Sequence, residues 1–259
     1  MFIRYAASLV IPLLVFLSSA SLKAQAPGGA QPDIVLGMAE LEMAYIPALA
    51  LSNQGKLELT KKAVRRLQNE WNDFNAKFYS YFPYDMLWQS SFKGIGNIIG
   101  TAENLLAEGS LDKVHETLEQ IRGIMMKLRA EHSISFYIDY LNYYHETMEH
   151  ILGIAEGAAP SGLTERDITR ISELQKTAYQ QWESLKAAPF NPDHYAFDRK
   201  KLPALHEGID AIGRSLTDLG SALQTGNKEA IIRASLALRP PYVKTYLLFG
   251  DFSHLQKNA

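Results

Sequence analysis

After Pro32 the apolar residues of this 259-residue chain recur at steps of three and four, and they almost nowhere alternate. Alternation would give a half-buried strand its dry face, whereas steps of three and four draw one dry stripe along a helix. Runs of β-branched residues closed by turn residues are missing too. The pattern predicts an all-α fold of antiparallel helical hairpins.

Turn residues divide that pattern. A helix is expected over 33–52, with Pro47 kinking it or starting a fresh turn because proline has no N–H to give. Asn53, Gln54 and Gly55 close it. The next, over 56–82, carries Leu59, Ala63, Leu67, Trp71, Phe74 and Phe78 on one stripe and stops at Pro83. A third covers 85–108 up to Gly109. Ser110 is placed to cap a fourth over 111–130, and Ser133 or Ser135 to open a fifth running to 155. Beyond it, helices are expected over 164–188, 199–224, 228–238 and 242–249.

The segment GAAPSG, residues 157–162, is the internal stretch with linker composition, so the boundary between two halves, 33–156 and 163–254, falls there. The halves share features. Ile121-Arg122 and Leu128-Arg129 are echoed by Ile232-Arg233 and Leu238-Arg239, Trp71 by Trp182, and the Gly109 turn by the Gly226 turn. The echo predicts tandem duplication of a helical bundle. The turns around 48–56 and 223–235 resemble tetratricopeptide hairpins for one turn each, but the period of about 34 residues is lacking and no family follows.

Before Pro32 the chain reads as an address. Arg4 precedes the apolar run Ala6 to Leu17, then small and polar residues lead to Ala26. That is the order of a secretory signal peptide, residues 1–26, cut between 20 and 26. Its apolar run is shorter than the roughly 20 residues of a membrane span, and no other stretch is expected to span. A cut after Ala26 would remove Arg4 and Lys23 and no acid, leaving 24 basic against 28 acidic residues. The expectation is an exported protein of the periplasm or extracellular space.

The chain has no cysteine, which excludes disulfides, thiolate metal sites, iron–sulfur clusters, covalent c-type haem and a lipidated N-terminal cysteine. The near balance of charge lacks the basic excess of a nucleic-acid binder.

Several groups of residues can carry chemistry. In the string YYHETMEH, residues 143–150, His145 with Glu149 and Glu146 with His150 stand four apart. The stripe through Tyr137, Leu141, Tyr144, Met148, Ile151, Leu152 and Ala155 places His145 at its edge, and Glu146, His150 and Asp139 on the solvated side. His115, one helix earlier, is the other histidine near an apolar stripe. His115, His145 and Glu149 are thus the candidate metal set. Arg122 and Arg129 lie on or near the stripe of their helix and require partners, either neighbouring carboxylates or an acidic ligand. Aromatic density from Phe74 to Phe92 nominates Trp71, Tyr84 and Trp88 as ligand-binding side chains. Gly96 and Gly100, four apart, suit a close helix crossing.

No nucleophile motif, Walker sequence or isolated carboxylate pair stands out. The expected function is a non-catalytic binding or interaction module of a periplasmic or envelope system, with an unknown protein partner or small ligand. The alternative is a carrier of metal or non-covalent b-type haem held by His115 and His145.

Overall fold

The computed structural model describes residues 31–255, with side chains from Asp33 onward. The expected signal peptide and its cleavage site lie outside the described residues. Among the described residues the fold is all-α, with nine α-helices: α1 (Gln31–Asn53), α2 (Leu57–Phe78), α3 (Met86–Ala107), α4 (Leu111–Glu131), α5 (Tyr137–Ala155), α6 (Glu165–Ala187), α7 (Lys201–Thr225), α8 (Lys228–Leu236) and α9 (Arg239–Tyr246). A 3₁₀ turn, Pro192–Tyr195, stands between α6 and α7. Helices pack antiparallel in the pairs α1 with α2, α3 with α4, and α5 with α6.

Helix α1 is the hub. It is apolar nearly all round, and Ile34, Met38, Tyr45, Ile46 and Leu49 are buried, as expected of a helix enclosed by others. It packs on α2 and α4 and meets the Pro192–Tyr195 turn and the Leu247–Phe249 turn from the far end of the chain. Its segment Asp33–Asn53 is long and apolar enough to cross a membrane, contrary to the expectation that no stretch after residue 26 would be. Most of that segment is buried inside the protein.

Pro47 lies inside α1 without ending it. Proline removes the hydrogen bond that residue 43 would receive. The freed carbonyl of Met43 accepts instead from the backbone N–H of Asp251, 2.9 Å away, which ties the C-terminal segment to the hub. Arg66 clamps the same segment through Asp251 at 2.7 Å.

The turns follow the sequence chemistry with instructive departures. Gly55, Gly109 and Gly226 all have positive φ, the conformation that ends a helix without Cβ strain. Asp85 caps α3 by accepting from the Trp88 N–H, Asn227 caps α8, and Thr164 with Asp167 forms a full capping box on α6. Ser110 stands at the N-cap of α4 without a side-chain cap. Neither Ser133 nor Ser135 caps α5. Its N-cap is Phe136, which brings no side-chain cap. Arg239 starts α9, with the prolines that follow it in the first turn, where a missing N–H costs nothing.

One continuous apolar core runs through both sides of the 157–162 linker. The arginines of the two sides differ in setting: Arg122 and Arg129 are buried, whereas Arg233 is an exposed partner of Glu229.

Candidate functional site

A band of polar and charged side chains crosses this apolar core between α4 and α5, floored by α1 and flanked by α9. The helices α4 and α5 meet here through long side chains rather than close backbones. Nearest their connecting turn, Arg129 is almost fully buried and grips Asp139 with two hydrogen bonds, one of 2.7 Å from Nε. Its guanidinium also lies over the Phe136 ring at 4.3 Å. Two turns up α4, Arg122 donates from Nη1 to Nδ1 of His145 at 2.9 Å and to Glu119 at 3.3 Å, and it faces the Tyr246 ring. From α1, Glu42 accepts from the Tyr246 hydroxyl at 3.1 Å, and Tyr45 donates to the Leu118 carbonyl at 3.0 Å.

The band is dry at the turn and wet at its other end. Glu119 and Glu149 are 40% exposed there, and Arg239 of α9 bonds Glu149 and Glu156, each at 3.3 Å. His145 stacks on Tyr242 at 4.8 Å and turns Nε2 toward Glu149, 3.6 Å away.

Two histidine tautomers follow from what their neighbours can do. A guanidinium only donates, so Nδ1 of His145 carries the lone pair and Nε2 the hydrogen. Burial, then the charges of Arg122 and Arg239, hold its pKa well below the ordinary histidine value, and the ring is neutral. His115 is the mirror case. Its Nδ1 stands 3.1 Å from the Leu49 carbonyl, an acceptor, so that nitrogen carries a hydrogen, and Nε2 stands 3.8 Å from Glu119. Ser52 lies 3.2 Å from the same nitrogen, which resembles a nucleophile beside a base. The pair cannot work so, because Nδ1 is already protonated and the Ser52 hydroxyl is buried and spent on Leu49.

Burial raises the carboxyl of Glu42 toward its neutral form, against the pull of Arg129 and Arg122. Burial also raises Glu149, and Arg239 opposes it.

The band thus gathers Arg122, Arg129, His115, His145 and Glu149 from the sequence nominees. Asp139 is a correction: the α5 wheel put it on the solvated face, but it is buried under Arg129. Glu146 and His150 are exposed as expected. Trp71 and Trp88 belong elsewhere, in the apolar contact between α2 and α3. Trp71 meets Phe74 and Phe92, and Trp88, fully buried, donates Nε1–H to the Phe78 carbonyl at 2.9 Å. Tyr84 is 98% exposed at the tip joining those helices, beside the exposed Met86. His132 is also withdrawn from solvent, over Phe82 and bonded to Asp85 at 3.0 Å, so the interior histidines number more than the periodicity suggested. Gly96 admits the Trp71 indole as a close crossing requires, while Gly100 faces open space. Sequence reasoning missed Glu42, Tyr45, Asn142, Tyr242 and Tyr246. Glu42, an acid inside the most apolar helix, was the available signal.

Among the described residues no group of three or more His, Asp and Glu side chains is close enough to hold a metal ion. No protein-family model, no curated protein and no solved structure matches the chain.

Proposed function

We propose that this protein is an exported, non-catalytic binding module of a periplasmic or envelope system, and that the polar band between α4 and α5 is its recognition element. One observation carries the reading: arginine, histidine, carboxylate and tyrosine side chains from α1, α4, α5 and α9 converge in a core that apolar residues of the same size would fill at no cost in stability. Export rests on the signal-like residues 1–26. The non-catalytic part of the proposal rests on the two histidines of the band: Nδ1 of His145 accepts from Arg122, and Nδ1 of His115 already carries a hydrogen beside Ser52. The same proposal keeps the halves 33–156 and 163–254 as a tandem duplication, on the strength of the repeated Ile-Arg and Leu-Arg steps.

Native mass spectrometry and co-purification from the exported fraction test the reading, comparing the wild type with Arg122→Gln and His145→Gln. A stoichiometric ligand or partner is expected with the wild type and is lost in variants that keep full helix content. A wild type with nothing bound, or a partner held equally by both variants, overturns it.

The carrier reading has one observation in its favour. His115 donates Nδ1–H to a backbone carbonyl, the second bond that a metal-ligating histidine commonly makes. His145 would have to exchange its Nε2 hydrogen first. Elemental analysis and the visible spectrum of the purified protein decide it: bound metal or a haem band supports the carrier, and a colourless, metal-free protein removes it.

A further inference from the structure

The polar band has more hydrogen-bond donors than the protein uses. Nε of Arg122, Nη1 of Arg129 and both amide atoms of Asn142 are buried without a partner among the described residues, and so is the Tyr242 hydroxyl. Arg122, Arg129 and Asn142 are each more than nine-tenths buried. Interiors very rarely leave guanidinium or amide hydrogens unpaired, because each costs the desolvation of a polar group with no return. Arg122, Arg129 and the Asn142 amide N–H thus lack an acceptor, while the Asn142 Oδ1 lacks a donor.

The chemistry of that acceptor can be read from the donors. Arg122 and Arg129 stand seven residues apart on α4, about 10 Å along the axis, with Asn142 of α5 between the levels of Asp139 and His145. Guanidinium and amide N–H groups are planar donors, matched by a planar carboxylate. A doubly charged tetrahedral anion fits less well, because Asp139 and Glu42 face the same space. Asp139 is already neutralised by Arg129. Glu42 is drawn toward its protonated form by burial and receives the Tyr246 hydroxyl, which softens its repulsion. The α4 and α5 backbones do not approach closely here, so the seam is lined by side chains, and the exposed Glu119 and Glu149 mark its mouth.

We propose that the band binds a small monocarboxylate, held by Arg122, Arg129 and Asn142. This rests on the reading of the band as the recognition element and names its ligand class.

The test titrates the full-length mature protein with acetate, succinate and inorganic phosphate at constant ionic strength. It follows the Arg122 and Arg129 side-chain N–H resonances by NMR, and affinity by calorimetry. Saturable shifts of those resonances are expected, with acetate bound more tightly than the doubly charged succinate or phosphate. Arg122→Gln and Asn142→Leu should each weaken acetate by at least about tenfold, while Lys61→Gln, on the exposed face of α2, leaves it unchanged. Helix content by circular dichroism shows that the variants are folded. Resonances unmoved by acetate, or moved by succinate or phosphate in preference, overturn the proposal. If carboxylates fail while a co-purifying species is still lost in Arg122→Gln, the ligand class falls and the binding reading stands. If neither probe nor any co-purifying species binds, both fall.

Discussion

Arg129 and Asp139, ten residues apart on either side of the α4–α5 turn, form a two-pronged ion pair withdrawn from water. Such a pair repays little of its own desolvation, yet removing one partner strands the other charge in the core. Asp139→Leu and Arg129→Met should therefore each cost about 3–5 kcal/mol. The double variant Arg129→Met with Asp139→Leu should recover most of that loss. Urea unfolding of the two single variants and the double variant checks the cycle, and equal, additive losses would show the pair to be weaker than its geometry implies.

How far the sequence discloses this arrangement depends on whether a residue's setting is decided within its own helix. The turns at Gly55, Gly109 and Gly226 are local and were read from the sequence, whereas the Thr164–Asp167 box and the Asn227 cap, equally local, were not, and Ser110, which was named as a cap, makes no such bond. Asp139 was misplaced because the wheel of α5 alone puts it off the apolar stripe, and only Arg129 from another helix makes its burial tolerable. The partner of the Met43 carbonyl, Asp251, lies more than two hundred residues away, and no periodicity links them. Tyr242 and Tyr246 sit on an eight-residue helix too short to show a stripe. Arg122, Arg129 and His145 were legible for the opposite reason: charge on or beside an apolar stripe is a conflict that one helix displays by itself.

Glycine gives a prediction of two signs. A Cβ on Gly213 of α7 would fall inside the Trp182 ring, and one on Gly208 would meet Thr245. Gly123 of α4 and Gly153 of α5 face open space in ordinary helical backbone. Gly213→Ala should thus destabilise by about 1–3 kcal/mol through overpacking. Gly123→Ala and Gly153→Ala should stabilise by about 0.5–1 kcal/mol, because alanine loses less chain entropy in a helix. Melting temperatures of the three single variants suffice. A stabilised Gly213→Ala would mean that Trp182 has another place to go, despite its 2.8 Å bond to the Ile209 carbonyl.

Ala196 closes the Pro192–Tyr195 turn with φ of 50°, in the left-handed region where a side chain crowds its own backbone. Ala196→Gly relieves that strain, worth about 1 kcal/mol, against the extra freedom glycine gives the unfolded chain. Little change or a small gain in stability is expected, whereas Ala196→Val should lose more than about 1 kcal/mol. Chemical denaturation of the two variants beside the wild type makes the comparison.

His145 should make stability depend on pH in a range where few side chains titrate. In the folded protein its Nδ1 accepts from Arg122, and burial with the nearby arginine charges keeps it neutral well below the ordinary value. In the unfolded chain it titrates near about 6.5. As pH falls through that value the unfolded state takes up a proton that the folded state refuses, so stability is lost toward acid, by up to about 1.4 kcal/mol per pH unit. Glu42 acts in the opposite sense: its raised folded pKa means that stability drains away as pH rises beyond the ordinary carboxyl range. Subtracting a variant separates the two. His145→Gln keeps an acceptor for Arg122 but cannot titrate, so the wild type minus the variant removes the Glu42 contribution. That difference in unfolding free energy should be flat above about pH 7.5 and fall steadily below about 6.5. A flat difference down to pH 5 would mean that His145 protonates as readily folded as unfolded, and that Arg122 gives way to accommodate it.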